Sequence, residues 1–392
     1  MRFGIDAYFA SYELRGIGKY VVQLVRGLVS ADPSNEYVIY GDAFKFRELS
    51  GCERVRFRDP KGITYPIWEQ FVLPEWVLKD QVEILHCPAN TGPLVMNRHI
   101  RLLLTIHDVM YLLPRQTLQP SKVMRQQLGN AYRRFIVPRV VQRADAVITV
   151  SEFSKRQICE YLHIEKERVQ VVYEGVSADF ASLSSREAAA VRQIGATKLD
   201  SPFVLALGAG DPRKNTVGVI RAYAAARESL PGREKLVIAG MRDWRHSEAF
   251  RLVQKLNLSN DVLFTGYVSE ENLAWLYSQA KCFLYPTFYE GFGFPILEAM
   301  ACGTPVISSN CTSVPEIAGD AAILLDPSSP HAIGAAMVRV LNDDALRRVL
   351  IDRGKARVGQ MGWQSTIDKT LNMYSVMARG AAAERVAEAR LT

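Results

Sequence analysis

Short runs of β-branched and apolar residues recur along the whole chain, and they constrain its fold more than any other feature. The first half carries RFGID (2–6), EYVIY (36–40), VEILHC (82–87), RLLLTIHD (101–108), DAVITVS (145–151) and RVQVVYEG (168–175). The second half carries FVLALG (203–208), KLVIAG (235–240), VLFTG (262–266), CFLYPT (282–287), PVISS (305–309) and AAILLD (321–326). Each run is almost continuously apolar instead of alternating, as strands are when helices cover both faces of a parallel sheet. Helical stripes lie between the runs. In IGKYVVQLVRGLVS (17–30), Ile17, Val21, Leu24 or Val25, and Leu28 share one side. Strand and helix in alternation make a doubly wound α/β sheet, and here the pattern occurs twice.

A chain of 392 residues that is 48% apolar has material for two cores. The stretch 177–202 is polar, rich in small residues and without a strand signal, so it reads as the linker. The expected organisation is a Rossmann-like domain over 1–180, a second over 181–362, and a C-terminal helix over 363–392 that packs back on the first domain. No N-terminal stretch has the order of a signal peptide, and no run approaches the roughly 20 apolar residues of a bilayer span. The expected location is cytoplasmic, or peripheral on the inner membrane face. The six cysteines form no C-x-x-C pair and read as buried free thiols. Of the net charge of +7, residues 1–178 hold 24 Lys and Arg against 19 Asp and Glu, or +5. That excess suits phosphate-bearing ligands or anionic lipid and specifies neither.

In doubly wound sheets, ligands bind beyond the C-terminal ends of the strands, so the residues there are the candidates. After the first run, RGIGKY (15–20) sets Gly16 and Gly18 before a helix, where bare backbone can approach an anion. An ordinary glycine turn fits equally well. A full G-x-G-x-x-G with an acid about 20 residues on is absent, which argues against a dinucleotide oxidoreductase. After the fourth run, His107 and Asp108 emerge at a strand end, as ligand contacts or as a hydrogen-bonded structural pair. In GAGDPRKN (208–215), Arg213 and Lys214 sit in a turn ahead of a helix, facing a phosphate or simply solvated.

The richest stretch is FYEGFGFPILEAMACGTPVISS (288–309). Gly291 and Gly293 flank Phe292 in a loop, Pro295 suits the first turn of a helix, and Gly303 suits its end. Glu298 then lies near the positive end of the helix dipole, charged and able to accept two hydrogen bonds from a diol such as a ribose. Glu290 precedes it in the loop. Two acceptors around a glycine-lined hollow suit a nucleotide joined to a sugar.

EGFGFPILEAMACGTPV with SVPEIAGDAAILLDP resembles the signature of family-four retaining glycosyltransferases, which have the two-domain GT-B fold. RGIGKY, LHCPAN (85–90), IHD, ITVSEFSK (148–155), GAGDPRKN and VLFTGYVSEENLAWLYSQA fall in family order, so the resemblance covers nearly the whole chain. It implies two Rossmann-like domains facing across a cleft. It also implies that Glu298 binds the nucleotide ribose, that Glu290 with the amides of Phe292 and Gly293 holds sugar hydroxyls, and that Lys214, helped by Arg213, neutralises the diphosphate. Gly16 and Gly18 would approach the phosphates, with His107 at the transferred sugar and Asp108 beside it on the donor side. Two departures stand out: Ala209 follows Gly208 where many members carry Arg, and YEGV (173–176) has Glu174 where Asn is common.

The expected reaction is metal-independent, retaining transfer of a hexose from a nucleotide sugar, with no cofactor. No D-x-D pair occurs in the chain, and no scattered histidine has metal-ligand spacing. The developing charge on the nucleoside diphosphate would be met by Arg213, Lys214 and the loop amides. Likeness to bacterial mannosyltransferases of surface polysaccharide favours GDP-mannose. The alternatives are a UDP- or dTDP-sugar donor, or a non-catalytic nucleotide-sugar-binding subunit. The expected acceptor is a glycan or a lipid-diphosphate-linked glycan. The stretch 121–144, with Lys122, Arg125, Arg133, Arg134, Arg139, Arg143 and no acid, would meet it or an anionic membrane, or form a solvated helix face. The aromatics of YPIWEQFVLPEW (65–76) would pack or dock. A nucleic-acid partner is not expected, because the basic excess lacks interleaved stacking aromatics.

Overall fold

The computed structural model describes residues 1–11, 16–114, 124–176, 180, 193–194, 197–199 and 201–389. The chain divides into two compact units. The first comprises Met1–Leu112, Leu128–Gly175 and Trp363–Thr392, and the second Leu113–Gln127 and Val176–Gly362.

The first unit is built on seven parallel strands: β1 (Arg2–Asp6), β2 (Glu36–Tyr40), β3 (Val55–Arg58), β4 (Ile84–Cys87), β5 (Arg101–Thr105), β6 (Ala146–Thr149) and β7 (Val169–Val171), in the order β3-β2-β1-β4-β5-β6-β7. The continuously apolar runs are the buried strands, as their composition demands. β3 is the exception. It is an edge strand of sequence VRFR, none of whose residues is fully buried, so it lacks the apolar run that marks the others. Helix α1 (Gly16–Ala31) packs on the sheet through Tyr20, Val21, Leu24, Val25 and Leu28. The helix Trp363–Ala389 belongs to the same core, where Ile367, Tyr374 and Met377 join Phe3, Ile5 and Leu24. The Tyr374 hydroxyl lies 2.9 Å from His86 Nδ1 on β4, and Thr366 Oγ1 donates to the Tyr173 carbonyl.

Residues 193–194 and 197–198, inside the stretch read as a linker without strands, form a minimal antiparallel pair, β8 (Gln193–Ile194) and β9 (Thr197–Lys198). Two residues per strand leave no periodicity to read. Most of the remaining stretch lies outside the described residues.

The second unit has six parallel strands: β10 (Phe203–Leu207), β11 (Lys235–Ala239), β12 (Val262–Gly266), β13 (Phe283–Tyr285), β14 (Val306–Ser309) and β15 (Ala322–Leu325), in the order β12-β11-β10-β13-β14-β15. Each coincides with one of the six apolar runs of the second half. In both sheets the strand order reverses beside the first strand, between β1 and β4 and between β10 and β13. A doubly wound sheet opens its binding crevice at this point, beyond the carboxyl ends.

Candidate functional site

In the second unit the reversal lies between β10, which ends at Leu207, and β13, which ends at Tyr285. Gly208 follows β10 where a Cβ would lie 2.5 Å from Ile238 Cγ2, so a larger residue here would have to displace the Ile238 side chain. Asp211 then caps a 3₁₀ turn over Pro212–Lys214, accepting from the Arg213 N–H at 3.1 Å. Asn215 takes a left-handed conformation (φ 54°), and its side-chain amide donates to the carbonyls of Pro286 (2.9 Å) and Pro327 (2.8 Å). The Arg213 carbonyl accepts from the Phe288 N–H at 2.7 Å, and Thr287 Oγ1 lies 2.9 Å from it. The cationic turn is thus fastened to the loop after β13, which rules out the solvated basic turn that the sequence left open.

The loop carries Glu290 into this junction. Its Oε1 accepts from Lys214 Nζ at 2.6 Å, the Tyr285 hydroxyl at 2.8 Å and Thr287 Oγ1 at 3.0 Å. Arg213 NH1 stands 3.7 Å from Oε2. Burial would raise the Glu290 carboxyl, but Lys214 and Arg213 hold it below its ordinary value. Burial also draws Lys214 below its ordinary value, against the pull of Glu290. Thr312 Oγ1 accepts from the Glu290 N–H at 3.3 Å, and Ser313 Oγ lies 2.9 Å from the Glu290 carbonyl and 2.8 Å from that of Phe292. Thr312 has φ 58°, an unusual state for a β-branched residue, held by these contacts in the loop that faces Glu290.

Gly293 has φ 120°, a conformation closed to other residues, and starts the helix Phe294–Ala301 with Pro295 in its first turn. Among the described residues the N–H groups of Phe292 and Gly293 have no hydrogen-bond partner. Glu298 is buried on this helix, and the Tyr277 hydroxyl donates to its Oε2 at 3.2 Å. Ala209, where a cation is common, donates its N–H to Thr216 Oγ1, leaving Arg213 and Lys214 as the cations of this loop.

In the first unit, Gly16 opens α1, and a Cβ there would meet no described atom within 4 Å, so packing does not impose that glycine. Gly18, two residues on, is buried. His107 follows β5 and is pinned throughout. Its N–H donates to Asn90 Oδ1 at 2.6 Å, and its carbonyl accepts from Ser154 Oγ at 2.9 Å. Nδ1 lies 2.9 Å from Glu174 Oε1, Nε2 lies 2.9 Å from the Pro88 carbonyl, and the Tyr20 ring meets the imidazole edge-on at 4.8 Å. Asp108 Oδ1 accepts from the Met110 N–H, capping the next turn.

Sequence reasoning missed Tyr277, Tyr285, Thr287, Thr312 and Ser313. Each sits on an ordinary strand, helix or loop, and its only signal was a polar atom within a few residues of a marked one. The missed Asp6–Glu69 cluster lies at the ligand end of β1. Trp68 Nε1 donates to Asp6 Oδ1 at 3.0 Å, and Tyr65 (2.6 Å), Tyr132 (2.5 Å) and Gln70 (2.7 Å) donate to Glu69. Tyr65, Trp68 and Trp76 therefore pack, while Ile67 and Phe71 stay exposed.

Residues 14–180 match the model of the family described as Glycosyltransferase Family 4, and residues 188–357 that of Glycosyl transferases group 1. O-antigen chain mannosyltransferase B of Escherichia coli is 30% identical over 384 residues, 93% of this chain and 97% of that protein. The chain belongs to the family-four, group-1 glycosyltransferases. As a member of that family it is a hexosyltransferase. O-antigen chain mannosyltransferase RfbU of Salmonella typhimurium is 28% identical over 64% of this chain and 63% of its own. Among solved structures, sucrose-phosphate synthase of Thermosynechococcus elongatus superposes with a TM-score of 0.72 at 19% identity, covering 97% of this chain and 99% of that one. Anabaena HepE, solved with UDP and glucose, gives 0.70 at 16% identity, covering 96% and 100%. The fold is GT-B, with two Rossmann-like parallel sheets.

Proposed function

We propose that this enzyme transfers mannose from GDP-mannose, with retention of configuration and without a metal, to a glycan or lipid-linked acceptor of cell-surface polysaccharide. The observation that carries the reading is the junction of Glu290, Lys214 and Arg213 at the strand reversal of the second unit, followed by the amides of Phe292 and Gly293, which have no partner among the described residues. Lys214, Arg213 and these amides meet the diphosphate as charge develops on it, Glu290 holds sugar hydroxyls, and Glu298 takes the ribose diol. Gly16, Gly18, His107 and Asp108 are assigned to the first unit's share of the donor. The full-length likeness to an O-antigen mannosyltransferase supports mannose as the transferred sugar. The UDP and glucose named for HepE keep a UDP-sugar as the alternative donor.

Thermal unfolding with GDP, UDP, dTDP and ADP, each with and without EDTA, tests the donor class. A rise with GDP alone, unchanged by EDTA and lost in Glu298→Ala, supports it. A rise with UDP alone assigns the other donor, and no rise with any nucleotide removes the donor site. The anomeric configuration of the product, read by NMR, decides retention.

We further propose that the helix Met124–Arg143 meets the acceptor's anionic lipid or membrane surface. Met124, Leu128 and Phe135 are exposed along it, and Arg139 lies over the Phe135 ring. Arg134 and Arg143 are instead tied to the carbonyls of Tyr111, Pro93 and Met96. Lys122 and the Arg125 side chain lie outside the described residues. No helix among the described residues is long and apolar enough to cross a membrane. Negligible binding to anionic vesicles at low salt would remove this role.

A further inference from the structure

All six strands of the second sheet run parallel, so their carboxyl ends share one edge. The Arg213–Lys214 turn and Glu290 stand on that edge at the β10–β13 reversal. A nucleotide held there has two directions in which to extend along the edge. Toward β14, Thr312 and Ser313 fasten the next loop to the backbone of Glu290 and Phe292. Toward β12 the strand ends are bare backbone. The Gly208 N–H donates to the Ala239 carbonyl at 2.8 Å and the Gly240 N–H to the Gly266 carbonyl at 2.7 Å, so three glycines form a row across β10, β11 and β12. A Cβ at Gly240 or Gly266 would meet no described atom closer than 3.7 Å. The row spans about 10 Å, two strand spacings.

Beyond its far end stands Tyr267. It is 56% exposed, more than any other aromatic of the second unit among the described residues. The guanidinium of Arg242, an exposed residue of the loop after β11, lies over the Tyr267 ring, 4.7 Å from its centroid. Trp244 of the same loop stacks on Phe264 at 5.0 Å, and its Nε1 lies 4.0 Å from where a Gly266 Cβ would stand. A single exposed tyrosine is ordinary on a protein surface. One with an arginine over its face, at the end of a glycine row that leads from a cationic turn, has the parts of a nucleobase site: a ring to stack on and donors for a base edge.

We propose that Arg242 and Tyr267 bind the base of the donor nucleotide and select guanine. The inference rests on the GDP-mannose reading and deepens it. A guanidinium carries five N–H donors in its own plane, so it can lie over a ring and still reach a base edge. Guanine sets two acceptors, O6 and N7, side by side, and an arginine fork meets both. Adenine sets a donor beside its N7, and uracil presents O4 alone, so neither fills the fork. A base paired with Arg242 lies in the guanidinium plane, on the same side of the Tyr267 ring, and the ring is the floor for both.

The test is isothermal titration of GDP, UDP and 7-deaza-GDP, in which a C–H replaces N7, into the full chain and its variants. The unaltered chain is expected to bind GDP about tenfold or more tighter than either of the others. Equal affinity for GDP and 7-deaza-GDP overturns the fork, and that comparison needs no variant to fold. Arg242→Ala is expected to lose about tenfold or more for GDP and much less for 7-deaza-GDP, and Arg242→Lys to lose the same preference while keeping the charge. Equal losses for the two nucleotides overturn the base contact. Tyr267→Ala is expected to weaken GDP about tenfold, with Tyr267→Phe close to the unaltered chain. Unchanged GDP affinity in Tyr267→Ala overturns the floor.

The outcomes separate this inference from the reading beneath it. GDP that binds the unaltered chain and both alanine variants alike overturns the base site alone. UDP that binds where GDP does not overturns the guanine assignment and the GDP-mannose donor together. Failure of every nucleotide to bind the unaltered chain overturns the transfer reading itself.

Discussion

Lys214 Nζ lies 2.6 Å from Glu290 Oε1, so two groups assigned to different parts of a donor neutralise each other. Tyr285 and Thr287 complete the carboxylate's shell. Lys214→Ala leaves Glu290 with Arg213 as its remaining cation at 3.7 Å, and removing one member of a buried pair costs about 3–5 kcal/mol. The expected result in chemical unfolding is a Lys214→Ala variant far less stable than the double variant Lys214→Ala/Glu290→Gln. Equal stabilities would mean the pair is not coupled. Turnover of Lys214→Ala is expected to fall about 100-fold or more, as for loss of a group that stabilises transition-state charge.

The Tyr277 hydroxyl donates a hydrogen bond to Glu298. Tyr277→Phe removes that bond without opening a cavity. A hydrogen bond from a neutral donor to a charged group contributes about 1.5–3 kcal/mol, so nucleotide affinity should weaken about tenfold or more through a misplaced Glu298. Isothermal titration with the nucleotide that stabilises the protein reads this directly, and unchanged affinity would dissociate Glu298 from the ribose.

Asp6 gives a pH signature. Burial pushes its carboxyl up to about 7, with the Trp68 hydrogen bond opposing and Glu69 adding to the rise. The folded protein therefore binds more protons than the unfolded chain between about pH 4 and 7. The Asp6 contribution is full below the unfolded value and is lost as pH rises to 7. Asp6→Asn cannot ionise. Its stability relative to the unaltered chain should improve by roughly 4 kcal/mol as pH rises from 4 to 7, at about 1.4 kcal/mol per pH unit. A pH-independent difference would show that the Asp6 carboxyl titrates in its ordinary range.

Gly293 at φ 120° starts the helix that carries Glu298. Gly293→Ala is expected to cost about 1–3 kcal/mol of stability, as a residue forced into a sparsely allowed conformation does, and to weaken nucleotide binding with it. Gly16→Ala, where no described atom approaches, is expected to leave stability within about 0.5 kcal/mol while reducing donor affinity. Unchanged donor affinity in Gly16→Ala would remove that glycine from the phosphate site.

The twelve apolar runs made both sheets legible, because a strand buried on two faces can be built only from such residues. β3 was missed because an edge strand half open to water has no such requirement. Glu290, Glu298, Arg213 and Lys214 were legible because charged residues among glycines and helix caps serve no packing need. The Lys214–Glu290 bond was not, since 76 residues separate its ends. Glu174 was visible as a departure from a common pattern, but its meaning lay in a histidine 67 residues earlier in the chain. Sequence spacing carries information within a helix or a turn, and almost none between strands whose crossovers vary in length.

The helix Trp363–Ala389 completes the core of the first unit, with Ile367, Tyr374 and Met377 seated among residues from β1 and α1. On the ribosome the chain emerges from its N-terminus, so this core lacks Ile367, Tyr374 and Met377 until every strand of the second unit has been made. The second unit is continuous from Val176 to Gly362 apart from Leu113–Gln127, and it has all its strands earlier. The unit whose first strand comes first in the chain is thus the unit whose last core element comes last.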